Sequence, residues 1–256
     1  MDLGRAGSST CVFRDMPRIV AVSSVVGPRE GKGPLGALFD LVYRDTTAGE
    51  TSWEKGEVRM LRQAVDMAMA KAGLVDDDVD FLLAGDLLNQ IIASSYTARD
   101  HDIPYLGLYG ACSTMGEGLG LAALLIAGGF ARNVVVCSSS HHDTAERQYR
   151  YPTEFGYQRV PTSQWTVTAA AAAVVARSGD GPAIEAVTIG RVQDMGVSDP
   201  NDMGSAMAPA FADTVWRHLK DMSRKPEDYD VIFSGDLGLV GKSIADDLLR
   251  RKGMDV

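Results

Sequence analysis

Residues 106–127 read LGLYGACSTMGEGLGLAALLIA. A run of Leu, Gly and Tyr leads into Ala111-Cys112-Ser113-Thr114, and small and apolar residues then recur at helical spacing. The pattern predicts a strand or extended segment, a sharp turn and a buried helix whose first turn holds Cys112. Ser113 or Thr114 stands where a side-chain oxygen caps the free N–H groups of that turn. A helix N-terminus carries about half a positive charge, which lowers a thiol's pKa and favours anions nearby. Three roles are therefore open to Cys112: nucleophile, member of an anion pocket, or structural cysteine packed in the core.

The surrounding chain has 256 residues, enough for one large domain or two small ones, and 45% of them are hydrophobic, ample for a packed core. The net charge of −9 argues against nucleic acid and gives no reason to expect direct binding to anionic lipid. An anionic ligand must then be drawn in by local charge. Cys11, Cys112 and Cys137 are widely spaced, which predicts a reducing compartment and no disulfide framework. His141 and His142 are adjacent with nothing nearby to complete a ligand set, so neither a metal nor a cofactor is expected. No apolar run reaches the roughly 18 residues of a membrane span, and MDLGRAGSSTCVFRD lacks the apolar core of a signal peptide. Any membrane association is expected to go through a partner.

In chain order, residues 1–16 read as an irregular leader and Arg18–Val25 as a strand. Gly27–Gly36 (GPREGKGPLG) is a loop carrying Arg29 and Lys32, either a plain solvated connection or a cover for an anion. Glu57–Ala72 is an amphipathic helix stopped by Gly73, Val79–Ala84 a strand, 91–100 a short helix and Asn133–Ser138 a buried strand. Residues 139–165 read as one long polar and aromatic loop, a length more often functional than not. Strands are expected over Thr166–Ala176 and Ala183–Val192. A helix is expected over Met207–Met222 with Pro209 in its first turn, then a strand at Asp230–Ser234 and a last helix over Ser243–Lys252.

Two segments repeat. Asp78-Val-Asp80-Phe-Leu-Leu-Ala-Gly85-Asp86-Leu87 is matched by Asp228-Tyr-Asp230-Val-Ile-Phe-Ser-Gly235-Asp236-Leu237, each following a helix. The division expected is an N-terminal half over 1–192 and a second over 193–256. If the halves are duplicates, the second is short by about 70 residues, because the first runs on to Ala176 and only 20 residues follow Asp236. Bared apolar surface and a less stable chain are the expected consequences.

The segments GPREGKGPLG, FLLAGDLLNQ, GLYGACSTMGEGL, SSHHDTAERQYRYPTEFGYQR, QDMGVSDPNDMGSAMAPAFADT and FSGDLGLVG together resemble the stage V sporulation protein AD family. The resemblance runs from about Val25 to Val256. It implies an α/β, thiolase-like fold of duplicated helix–strand halves, the second truncated: the family's Asp-Cys-Gly and Gly-Gly-Ser-Gly-Cys segments are not found here. It implies binding of dipicolinic acid or its calcium chelate, uptake of that ligand into the forespore and its release at germination. It also implies membrane-embedded partners of the same operon, a peripheral place at the inner spore membrane and, as thiolase-like proteins commonly do, a homodimer through the strand after the cysteine helix. The alternative is acyl transfer of the thiolase or ketoacyl-synthase kind with Cys112 as nucleophile, for which His141 and His142 are the sensible bases.

Dipicolinate is a flat aromatic dianion. Its pocket needs cations or N–H donors for two carboxylates and apolar walls for the ring. Arg147 and Arg150 suit the first need, with a pair to Glu146 or Glu154 as the competing role for Arg147. Tyr149, Tyr151, Phe155 and Tyr157 suit the second, with core packing as their competing role. Asp86 would repel a dianion and is expected to orient a donor or the cysteine turn. The ligand-binding set is thus Asp86, Cys112, Ser113, His141, Arg147, Arg150 and Tyr151, with Lys32 from the opposite loop.

Overall fold

The computed structural model describes residues 3–149, 162 and 164–254. Two compact units emerge, one built on residues 15–149 and 166–184, the other on 3–14 and 185–254. The seam therefore falls after Ile184, ahead of the 192/193 division read from sequence, and the N-terminal stretch joins the second unit.

The first unit is a six-stranded sheet ordered β4-β3-β8-β7-β5-β6. Its strands are β3 (Arg18–Val26), β4 (Leu41–Val42), β5 (Phe81–Gly85), β6 (Tyr105–Gly107), β7 (Asn133–Ser140) and β8 (Ala169–Ala176). All run parallel except β8, which is antiparallel to both β3 and β7. Strand side chains alternate between faces, and the two faces bury different helices. Leu82, Ala84, Val135 and Cys137 share a core with Met60, Leu61, Ala64 and Val65 of α1 (Trp53–Ala72) and Ala93 of α2 (Ile92–Arg99). Leu83, Val134 and Val136 pack with Ala122 and Ile126 of α3 (Thr114–Ala127) on the other face. Gly118 lets α3 lie close on β7, since a Cβ there would overlap Val136.

Several boundaries differ from the sequence reading. α1 begins four residues early because Ser52 caps it, accepting the Lys55 N–H. Residues 142–149 form helix α4 rather than loop. The rest of the expected loop, through residue 161, lies outside the described residues. β7 is hydrogen-bonded on both sides, so it offers no edge to a second chain; among the described residues the edge strands of this sheet are β4 and β6. The strand expected to carry a homodimer is thus interior to the sheet.

In the second unit, residues 3–13 are no leader. β1 (Leu3–Ala6) and β2 (Thr10–Phe13) form a hairpin, and β2 also pairs with β9 (Ala186–Thr188). Gly7 turns it at φ +59°, and Asp221 accepts the Ser9 N–H and the Thr10 hydroxyl at 3.0 and 3.1 Å. α5 (Met203–Met222) starts at Asp202, whose carboxylate accepts the Ser205 N–H, and so places Pro209 beyond the first turn. α6 spans Gly238–Arg251. Residues 231–234 form no strand: among the described residues nothing pairs with them, and Val231 and Phe233 are 57% and 87% exposed. Strand propensity without a neighbouring strand leaves the backbone groups to water.

The repeat is literal in the backbone. Trp53 and Met203, Ala72 and Met222, Gly73 and Ser223, and Asp86 and Asp236 all stand 150 positions apart. Both helices end on a left-handed residue, Gly73 and Ser223. Both following turns are held by an aspartate: Asp78 accepts the Val75 N–H at 3.0 Å and Asp228 the Lys225 N–H at 2.8 Å. Asp86 and Asp236 each accept the N–H two residues on, at 2.9 Å.

Candidate functional site

The C-terminal ends of β5 and β7 lie beside the turn that leads into α3. Parallel strand ends of this kind are where α/β sheets bind ligands. Past β6 the chain reaches Ala111, whose φ of +45° is left-handed, uncommon for a residue with a Cβ. Residues 111–113 make one tight 3₁₀ turn before α3 begins. Cys112 is exposed on that turn, which removes the reading as a core cysteine. Ser113 does not cap α3. Its hydroxyl donates back to the Gly110 carbonyl at 2.8 Å, and it sits in the αR region, without the extended backbone of a capping residue.

A cleft of about 540 Å³ opens beside this turn. Among the described residues its walls are Asp86, Leu88, Asn89, Tyr109, Ala111 and Gln148. The Asn89 N–H donates to the Gln148 side-chain oxygen at 2.8 Å, joining the β5 loop to α4 (His142–Tyr149). The site thus unites the end of β5, the cysteine turn and the last turn of α4.

Asp86 is held rigidly. One of its oxygens accepts the backbone N–H and the hydroxyl of Ser94, both at 2.7 Å, and the other accepts the Leu88 N–H. Of the two roles expected for it, orienting a donor or the cysteine turn, its bonds go to the N–H and hydroxyl donors at Leu88 and the start of α2. Burial raises its pKa against those bonds. Behind it Glu57 of α1 is 1% exposed and takes hydrogen bonds with the Ser139 and Thr144 hydroxyls at 2.9 and 3.1 Å. Burial first, and then the Asp86 charge, pushes the Glu57 carboxyl up to about 8.

His141 is fully buried, not a solvated loop residue. Its Nε2 donates to the Thr46 carbonyl at 2.6 Å, and its Nδ1 accepts the Asp143 N–H at 3.2 Å. Both nitrogens are occupied, and burial lowers its pKa. It is therefore a neutral structural imidazole, neither a base for Cys112 nor a ligand contact. Arg147 lies over the Trp53 ring at 4.7 Å and 3.4 Å from Glu54, both on α1, while Glu154 lies outside the described residues. Lys32 is exposed in the turn Glu30–Lys32 and does not border the cleft. Arg150, Tyr151, Phe155 and Tyr157 lie outside the described residues. Among the described residues no cluster of His, Cys, Asp or Glu could hold a metal ion.

Tyr109, Asn89, Gln148 and Glu57 are absent from the sequence-based set. Tyr109 stood inside the quoted stretch, and its place next to the turn was the available signal. Gln148 could have been found from the helical spacing of 142–149. Glu57 carried no signal, since a glutamate at a helix start normally faces water.

Residues 7–256 match the family model for stage V sporulation protein AD (SpoVAD). The stage V sporulation protein AD of Bacillus subtilis (strain 168) is 45% identical over 250 residues, covering 98% of this chain and 74% of that protein. Among solved structures, the E117Q variant of Xanthomonas campestris OleA superposes with a TM-score of 0.64 at 13% identity, covering 95% of this chain and 82% of that one. The priming β-ketosynthase of the R1128 polyketide pathway gives 0.58 at 14% identity, covering 93% and 79%. The 3-oxoacyl-(acyl carrier protein) synthase III of Pseudomonas aeruginosa PAO1 gives 0.56 at 14% identity, covering 92% and 80%. At these identities the likeness concerns the fold, which is the thiolase-like α/β fold.

Proposed function

The chain belongs to the stage V sporulation protein AD family of sporulation proteins, and from that premise we propose that the cleft beside the cysteine turn binds dipicolinic acid or its calcium chelate. The observation that supports this reading is the convergence of three motif segments on one cleft: Asp86 from FLLAGDLLNQ, Tyr109 and Ala111 from GLYGACSTMGEGL, and Gln148 from the segment that continues to Arg150 and Tyr151. Tyr109 and Leu88 offer walls for a flat ring. The amide groups of Asn89 and Gln148 offer donors for carboxylates. Arg150, two positions past Gln148, is our candidate for the charge-assisted bond. In this role the protein serves uptake of dipicolinate into the forespore and its release at germination. No helix among the described residues is long and apolar enough to cross a membrane, so we assign contact with the inner spore membrane to membrane-embedded partners. For self-association we assign the β6 edge of the sheet, beside exposed Leu106 and Tyr109.

Acyl transfer ranks second. Cys112 stands exposed on its turn, but the first candidate base, His141, has both nitrogens engaged. Titration calorimetry with sodium dipicolinate, with and without calcium, tests the first reading. Wild type should bind, and Tyr109→Ala, Gln148→Ala and Arg150→Ala should each weaken binding about tenfold or more, as loss of a charge-assisted or well-packed contact does. Absence of binding by the folded wild type overturns it. A mass increment on Cys112 after incubation with an acyl thioester would favour the second reading.

A further inference from the structure

We propose that Glu57 is a positioning residue held as a neutral carboxylic acid, and that its ionisation weakens the binding of a dianion in the neighbouring cleft. The inference rests on the reading of that cleft as a dicarboxylate site. Its starting point is a count of hydrogens. The Thr144 hydroxyl lies 3.1 Å from Glu57 Oε2 and 3.1 Å from the His141 carbonyl, yet it has one proton to give. The His141 carbonyl is acceptor only. If Thr144 donates to it, as helix-starting threonines do toward the preceding turn, the proton between Thr144 and Glu57 must come from Glu57. Ser139 then donates to the other oxygen at 2.9 Å. The His141 carbonyl already accepts the Ala145 N–H at 3.0 Å, and the Thr144 hydroxyl can fill its second lone pair while staying bonded to Glu57 only when Glu57 supplies the proton between them.

The surroundings agree. The charges acting on Glu57 are both acidic: Asp86 at the end of β5 and Glu54 one turn back on α1. The segments packed on α1 from β8 are alanine and valine, and β3 has its one charge, Arg18, at its first residue. α2 contributes Arg99, tied to Asp100, which also holds Arg62 of α1. α4 contributes His142, Asp143, Glu146 and Arg147, and Arg147 lies against Glu54. From β7 the facing groups are the Ser139 hydroxyl and the buried Cys137 thiol, which burial keeps neutral. A negative charge here would stand with Asp86 behind the cleft and would draw the one proton of the Thr144 hydroxyl away from the His141 carbonyl, loosening the start of α4, the helix that brings Gln148 to the cleft wall. Both effects oppose a dianionic ligand.

The test uses the whole chain and sodium dipicolinate, whose carboxyls are ionised throughout the range used. Affinity should fall about tenfold between pH 7 and pH 9.5, which corresponds to a shift of about one pKa unit in Glu57 on binding. Binding near pH 8.5 should take up about half a proton, read from heats in buffers of different ionisation enthalpy. Glu57→Gln, whose amide reproduces both hydrogen bonds without a charge, should bind as wild type does at pH 7 and keep that affinity at pH 9.5. An infrared band of a buried carboxylic acid should be present in wild type at pH 7 and absent in Glu57→Gln. Wild-type affinity indifferent to pH, or an equal loss at high pH in Glu57→Gln, overturns this inference alone. No binding at any pH overturns it together with the dipicolinate reading.

Discussion

A single oxygen of Asp86 receives both the backbone N–H and the hydroxyl of Ser94, each at 2.7 Å, across eight residues of chain. The residue before α2, Ile91, is left-handed and has no side chain that could cap, so a carboxylate from the end of β5 serves as the cap. Asp86→Ala should therefore destabilise the first unit by about 1–3 kcal/mol, the cost of stranding buried donors. Urea melts measure the loss, and amide exchange should accelerate at Leu88 and Ser94 before the rest of the sheet. Unchanged protection at both amides would show that α2 is held by other means.

Stability should also follow the protonation of Glu57. Its carboxyl sits near 8 when folded against an ordinary 4.5. A raised folded pKa contributes stability that is full below about 4.5 and is lost as pH rises through about 8. Wild type should thus lose a few kcal/mol of stability between pH 5 and pH 9 through this group. Glu57→Gln should flatten that slope and melt higher than wild type at pH 9. Parallel pH profiles for the two proteins would contradict the assignment.

The three thiols should separate by burial. Cys112 is exposed, Cys11 partly buried and Cys137 fully buried, with desolvation and then the Asp86 charge pushing its pKa far up. A maleimide or disulfide reagent on the native protein should label Cys112 first and Cys11 more slowly. Cys137 should react only with unfolding. Peptide mapping after timed quenching reads the order, and early labelling of Cys137 would mean that the core around β7 opens locally.

Leu83 of β5 has Phe233 as its counterpart in the repeat, 150 positions on. Leu83 is fully buried and Phe233 is 87% exposed. Leu83→Ala should cost about 2–5 kcal/mol, and Phe233→Ala less than about 0.5 kcal/mol. Chemical denaturation of the pair is the measurement, and a large loss on replacing Phe233 would reveal a buried environment for that ring.

The sequence carried most of the first unit because its signals are local or nearly so. A β-branched run marks β3 and β7, Gly73 stops α1, and the Thr-Val-Thr start and Val-Val end pick strand over helix for β8. It misled where pairing or burial decides. Residues 3–13 look like a polar leader until β9 supplies the third strand, and residues 230–234 have strand propensity but no neighbour among the described residues. The site divides in the same way. Asp86 was visible because Gly-Asp-Leu follows a short apolar run twice, whereas His141 and Arg147 depend on Thr46 and Glu54, which lie about 95 residues away in the chain. No periodicity encodes such contacts.

Between Trp53 and Asp86 and between Met203 and Asp236, neither copy of the repeat has gained or lost a residue against the other. Helix length, left-handed stop and aspartate-held turn persist in both, although a sheet strand follows in the first copy and, in the second, a stretch with no strand partner among the described residues. Helix, stop and turn are thus written into a short piece of chain and can form early, before distant contacts exist. The strand needs neighbours brought from far along the chain, so its formation must await collapse of the sheet. Residues 53–80 and 203–230 are the places where nascent structure should survive in a chain otherwise unfolded.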